Sequence, residues 1–83
     1  PYTVMKSIIT LREQEILKLM AQGMSSKNIA DALNLSFHTV QTHRKNILRK
    51  LNESSTIRAV AVATHVGLIP ANKMQSSIYS RLE

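Results

Sequence analysis

The stretch SSKNIADALNLSFHTVQTHRKNILRKL, residues 25–51, decides the fold. Ser25 and Ser26 offer an N-cap, and a helix follows from about Lys27 to Leu33 with Ile29, Ala30 and Leu33 as its apolar face. Asn34-Leu35 closes it, because Asn tolerates the left-handed backbone that ends a helix. Ser36 caps a longer helix over Phe37–Leu51, in which Val40, Ile47, Leu48 and Leu51 face inward. Two helices joined by a short polar turn, the second capped by Ser, make a helix-turn-helix pattern over about residues 26–45. Leu35 is the one apolar residue of the turn and is expected to plug the gap between the two helices.

Working outward, Thr10-Leu11-Arg12-Glu13 is a capping box, in which Thr10 and Glu13 each satisfy the other's orphan backbone N–H. A helix runs from it to about Gln22 through Ile16, Leu17, Leu19 and Met20, and Gly23 ends it. On the other side, Ser54 or Ser55 caps a further helix from Thr56 to about His65, stopped by Gly67 and Pro70. No segment has the alternation of a strand, and no repeat is present. The expected fold is all-α: a four-helix bundle over residues 10–69 that contains the helix-turn-helix. Residues 1–9 read as a linker or arm, with Ile8 and Ile9 docking on the bundle. Residues 70–83 read as a tail, in which Met74, Ile78 and Leu82 have helical spacing.

Composition bounds the function. The chain has 83 residues, enough for one small core. It has no cysteine, which excludes disulfides, Cys-ligated zinc and thiol chemistry. No apolar run is long enough to cross a membrane, and no secretory signal pattern is present. The first residue is Pro1, not Met, as expected of a fragment of something longer. A net charge of +6 favours a polyanionic partner.

That charge has a location. Between Asp31 and Glu53 there is no acid, while Arg44, Lys45, Arg49 and Lys50 all fall there. His38, Gln41, Thr42, Lys45 and Arg49 share one face of the third helix. A helix of this length spans roughly 22 Å, enough to cross a major groove. Gln, Thr and Lys are residue types that read base edges, so Gln41, Thr42 and Lys45 are the candidate base contacts. Lys27 lies in the first turn of its helix, where free N–H groups also favour a phosphate. Thr39 either bonds a phosphate or supports the Ser36 cap. Arg44, Arg49 and Lys50 are further candidates for phosphate, with His38 and His43 as secondary ones.

Catalysis finds no footing. Glu13 is explained by the capping box, Glu15 by solvation or a local basic partner, and no nucleophile–base pair is present. His38, His43 and His65 share no ligand spacing, and Gly23 and Gly67 stand alone, so no metal, cofactor or phosphate-cradling loop is expected. The fourth helix carries two apolar stripes. Ala59, Val62, Ala63 and Val66 suit the bundle. The other, Ile57, Val60, Ala61 and Thr64, is expected to meet a two-fold symmetry mate.

The order and spacing of residues also carry a resemblance. The first piece is Thr10-Leu11-Arg12-Glu13-x-Glu15-Ile16-Leu17, followed by Gly23-x-Ser25-Ser26-Lys27-x-Ile29-Ala30. Next comes Leu35-Ser36-x-x-Thr39-Val40-x-x-His43-x-x-Asn46-Ile47-Leu48-x-Lys50-Leu51, and last Ala59-Val60-x-x-Ala63-x-x-x-Gly67-Leu68-Ile69. Thr10–Ile69 so resembles the C-terminal DNA-binding domain of LuxR/FixJ/NarL-type bacterial transcription regulators. The resemblance implies a third helix in the major groove with base contacts from Gln41, Thr42 and Lys45. It also implies phosphate contacts from Lys27, Thr39 and neighbouring basic residues, and homodimerisation through the fourth helix. The setting it implies is the cytoplasm, with RNA polymerase as a further partner where such a regulator activates. The sequence departs from the family pattern at Gln41, where Lys is frequent, at Asn52, where Gly is frequent, and at Thr56, where Arg is frequent. The rival expectation is a basic helical module that docks an acidic protein.

Overall fold

The computed structural model of the chain describes residues 8–70. The expected arm over residues 1–7 and tail from residue 71 lie outside the described residues. Among those described there are four helices and no strand: α1 (Leu11–Ala21), α2 (Ser26–Leu33), α3 (Phe37–Leu51) and α4 (Thr56–His65). The all-α bundle read from the sequence is the fold observed.

Local chemistry starts and stops each helix. Thr10, Ser25, Ser36 and Ser55 are the N-caps, each side chain accepting a backbone N–H three residues on. Ser25, not Ser26, therefore caps α2, which begins one residue earlier than expected. Thr10 and Glu13 form the full capping box. All four helices end through the same pair of backbone bonds. In α1, Gly23 N–H donates to Met20 O and Met24 N–H to Leu19 O. The corresponding donors are Asn34 and Leu35 after α2, Asn52 and Glu53 after α3, and Gly67 and Leu68 after α4. The motif needs one left-handed residue, supplied at φ 55° by Asn34 and at φ 56° by Asn52, and elsewhere by glycine.

The core sits where the helices converge. Ile16 and Leu17 of α1, Ile29 of α2, Val40 and Ile47 of α3, and Leu68 beyond α4 are fully buried. Each such side chain contributes about 1.5–3 kcal/mol by leaving water. Leu35 packs on this core from the turn, as expected, and Ile9 is buried against it while Ile8 stays largely exposed. Gln14 of α1 donates to Leu68 O at 2.6 Å, which fastens the end of the bundle to its beginning.

Two apolar positions differ from the expectation for α4. Val62, expected inward, is half-buried and is not among the residues packed on the core. Val60 is only 5% exposed and belongs to the core, beside Ala59 and Ala63. It is therefore withdrawn from the outer stripe. Small side chains on both sides of α4 give no sign in the sequence of which ones turn inward.

A second long-range tie was not legible in the sequence. Lys50 Nζ donates to Glu13 Oε1 at 2.8 Å, joining the last turn of α3 to the first turn of α1. The Glu13 side chain is 4% exposed and that of Lys50 23%. Burial pushes the Glu13 carboxyl up, but hydrogen bonds from Lys50 and Thr10, with the charge of Lys50, outweigh it and hold the group below its ordinary value. The stabilisation is thus fully present above the unfolded Glu range and is lost as pH falls through the folded value. Lys50→Met is expected to cost about 1–3 kcal/mol at neutral pH, measured by urea unfolding. The same variant should show a flatter fall in stability between about pH 5 and pH 3 than the parent chain. An unchanged pH profile would mean that the pair does not couple.

Candidate nucleic-acid interface

The second half of α2 and the first half of α3 meet at a turn set by Asn34. Its left-handed backbone reverses the chain, and Leu35 N–H closes on Ala30 O at 2.8 Å. Ser36 then receives the Thr39 N–H at 3.0 Å and starts α3. α3 packs on α1, α2 and α4 along one side. The other side faces solvent.

On that open side, His38, Gln41, Thr42, Lys45 and Arg49 are all exposed, together with Phe37 at the start of the helix. Lys27, in the first turn of α2, is exposed as well. The structure therefore brings the three candidate base readers onto one surface and places two further cations at its margins. Thr42 Oγ1 donates to His38 O at 3.1 Å, so its proton is engaged within the helix. Thr39 is half-buried, and Ser36 Oγ donates to its Oγ1 at 2.8 Å. The Thr39 hydroxyl thus lies against the capping Ser36 and supports it. His43 is half-buried between the open face and the core.

Two expected phosphate ligands are held inside the fold. Lys50 is paired to Glu13, as described above. Arg44 is half-buried; its Nη1 donates to Ser26 Oγ at 2.9 Å and its Nη2 to Thr56 Oγ1 at 2.8 Å. It bridges α2, α3 and α4. Helical geometry explains the division, since Lys50 lies about 180° around the helix from Gln41 and Arg44 about 60° toward the packed side. The charge cluster of α3 is thus two outward cations, Lys45 and Arg49, and two that hold the bundle. Thr56 thus joins α3 to α4 by accepting a hydrogen bond from the charged Arg44 guanidinium.

Ser26 and Thr56 were not singled out as site residues by sequence reasoning. Ser26 also donates to Gln41 Oε1 at 2.6 Å. A second serine after the capping one was the only available signal, and it did not distinguish a surface hydroxyl from a partner of α3. Together Ser26, Gln41, Arg44, Lys45, Leu48 and Thr56 line an open depression beside the exposed face.

The bacterial regulatory proteins of the luxR family are described by a model that matches residues 7–63 of this chain. The chain belongs to that family. Among its relatives, the uncharacterized response regulatory protein YgeK of Escherichia coli is 47% identical over 60 residues, covering 72% of this chain and 41% of that protein. The nitrate/nitrite response regulator protein NarP of Escherichia coli is 49% identical over 53 residues, covering 64% of this chain and 25% of its own. The virulence factors putative positive transcription regulator BvgA of Bordetella pertussis is 44% identical over 57 residues, covering 69% and 27%. The chain thus matches well under half the length of these relatives.

Among the described residues, no group of three or more His, Cys, Asp or Glu could hold a metal ion. No described helix is long and apolar enough to cross a membrane.

The turn can be tested directly. Asn34→Ala places a Cβ-bearing residue without a local hydrogen-bonding side chain at φ 55° and should lower stability by about 1 kcal/mol. Asn34→Gly should stay within about 0.5 kcal/mol of the parent. Urea midpoints of the two variants check the pair, and equal losses would mean that the left-handed turn is not what Asn34 supplies.

Proposed function

We propose that this domain binds double-stranded DNA with sequence preference and acts in bacterial transcription regulation as the effector part of a larger protein. The observation that carries the reading is the open face of α3. It is polar and basic, free of acid, and mounted rigidly on the core through Val40, Ile47 and Leu51. Membership of the luxR family supports the same reading. The α3 helix of 15 residues is about 22 Å long and enters the major groove. Gln41, Thr42 and Lys45 meet base edges. Lys27, Thr39 and Arg49 meet phosphates, with His38 and His43 in support. Arg44 and Lys50 act from within the fold. The mechanism is binding: phosphate neutralisation supplies much of the affinity, and base contacts supply choice. The place of work is the cytoplasm, where the DNA lies.

Lys45→Ala should cost about 1–3 kcal/mol on the preferred sequence and relax the preference at one base. Lys27→Ala should weaken all duplexes alike and reduce the salt slope by about 1. Selection of bound duplexes from a random pool, followed by anisotropy titrations at several salt concentrations, measures both. Equal binding of all duplexes, unaffected by Lys45→Ala, would favour the rival module that docks an acidic protein.

Dimerisation through α4 belongs to the same proposal. Ile57 is 81% exposed, an unusual exposure for a side chain of that size, and Ala61 and Thr64 lie beside it partly open. With Val60 in the core, the proposed surface narrows to Ile57, Ala61 and Thr64. Two copies joined there present two α3 helices to one duplex. Ile57→Arg should weaken binding to DNA with two half-sites far more than to a single half-site. Equal losses on both would argue against this surface.

A further inference from the structure

Three hydrogen bonds form a directed chain behind the base-reading face. Arg44 Nη2 donates to Thr56 Oγ1 at 2.8 Å, Arg44 Nη1 to Ser26 Oγ at 2.9 Å, and Ser26 Oγ to Gln41 Oε1 at 2.6 Å. Its direction is fixed at one end. A guanidinium has donors only, so Ser26 must accept from Arg44. The single proton of Ser26 then points to the next acceptor, which is the carbonyl end of the Gln41 amide. With the amide reversed, Ser26 Oγ would accept from both Arg44 and Gln41, and its own proton would lose the 2.6 Å bond to the Gln41 carbonyl. Arg44 is half-buried and tied at both terminal nitrogens, so it does not turn to suit the glutamine.

This bears on what Gln41 can read. A glutamine reads adenine by laying both ends of its amide along the base, one accepting and one donating. Here the accepting end is turned back onto Ser26, and the N–H end is presented. Guanine offers two acceptors on its major-groove edge, adenine one acceptor beside a donor, thymine one acceptor beside a methyl, and cytosine a donor alone. We propose that Ser26 and Arg44 are positioning residues that lock the Gln41 amide in one sense, so that Gln41 selects guanine in preference to adenine. The inference rests on the proposed placement of α3 in the major groove.

Selection from a random duplex pool with the full 83-residue chain tests it, using the parent, Gln41→Ala, Ser26→Ala and Ser26→Thr. Gln41→Ala identifies the base, as the position whose preference it erases. At that base the parent should favour guanine over adenine by about tenfold. Ser26→Ala releases the amide, and the two bases should come within about twofold of each other. Ser26→Thr keeps the hydroxyl and should keep the guanine preference, an outcome that a merely structural loss at the start of α2 would not give. Adenine chosen by the parent at that base, or a guanine preference unmoved by Ser26→Ala, overturns the proposal while leaving DNA binding intact. Absence of preference at every base, including the one governed by Lys45, overturns the underlying reading and the proposal with it.

Discussion

One carboxylate oxygen holds the last turn of α3 in register with the start of α1. Glu13 Oε1 accepts the Thr10 backbone N–H at 2.9 Å and the Lys50 ammonium at 2.8 Å. The first bond completes the start of α1, and the second fixes the last turn of α3 against it. α3 is the helix that carries the open basic face, so its orientation matters more than that of any other element. It is pinned near its end by Lys50 and nearer its middle by Arg44, which reaches both α2 and α4. Ile47 between those points, with Val40 before and Leu51 after them, sits in the core. A charged pair this well buried is weak evidence for net stability, since desolvation opposes the attraction. Its value here is positional: the ammonium has one carboxylate to meet, whereas an apolar contact would tolerate sliding.

The same geometry resolves the charge of the chain. Four basic residues in an acid-free stretch look alike in the sequence. In the fold, burial sorts them. Arg44 and Lys50 turn toward the packed sides and find Ser26, Thr56 and Glu13. Lys45 and Arg49 remain in solvent, where their field is screened but available to a polyanion. Half the local charge therefore builds the scaffold that aims the other half. A count of positive residues overstates the charge left open to a polyanion by that amount.

What was legible in the sequence follows from range. Every N-cap and every left-handed stop is decided within about five residues, and those chemical signals are strong: Thr10 with Glu13, Ser36 before Phe37, Asn52 after Leu51. The exposed face of α3 was legible because helical periodicity alone sorts Gln41, Thr42 and Lys45 from Val40 and Ile47. The long ties were not. Glu13 and Lys50 are 37 residues apart and Arg44 and Ser26 18 apart, and no local pattern links them. Val60 was misplaced for a related reason. On α4, small apolar side chains cover adjacent sectors, so periodicity finds the apolar helix without fixing which sector the rest of the bundle will occupy.

The hydroxyl groups around α3 complete the physical picture, because each has a proton whose destination the neighbours dictate. Ser36 accepts the Thr39 N–H and passes its own proton to Thr39 Oγ1. Thr42 gives its proton to the His38 carbonyl. Ser26 takes a proton from Arg44 and gives one to the Gln41 carbonyl, which turns the amide nitrogen outward. At Gln41 the internal bond falls on an accepting atom and leaves donors, next to the ammonium of Lys45 and the guanidinium of Arg49. A surface of that kind is poorly suited to another protein surface of mixed donors and acceptors. On the proposed reading it meets phosphate oxygens and purine acceptor edges, with Arg44 setting the polarity of Gln41 from beneath the surface.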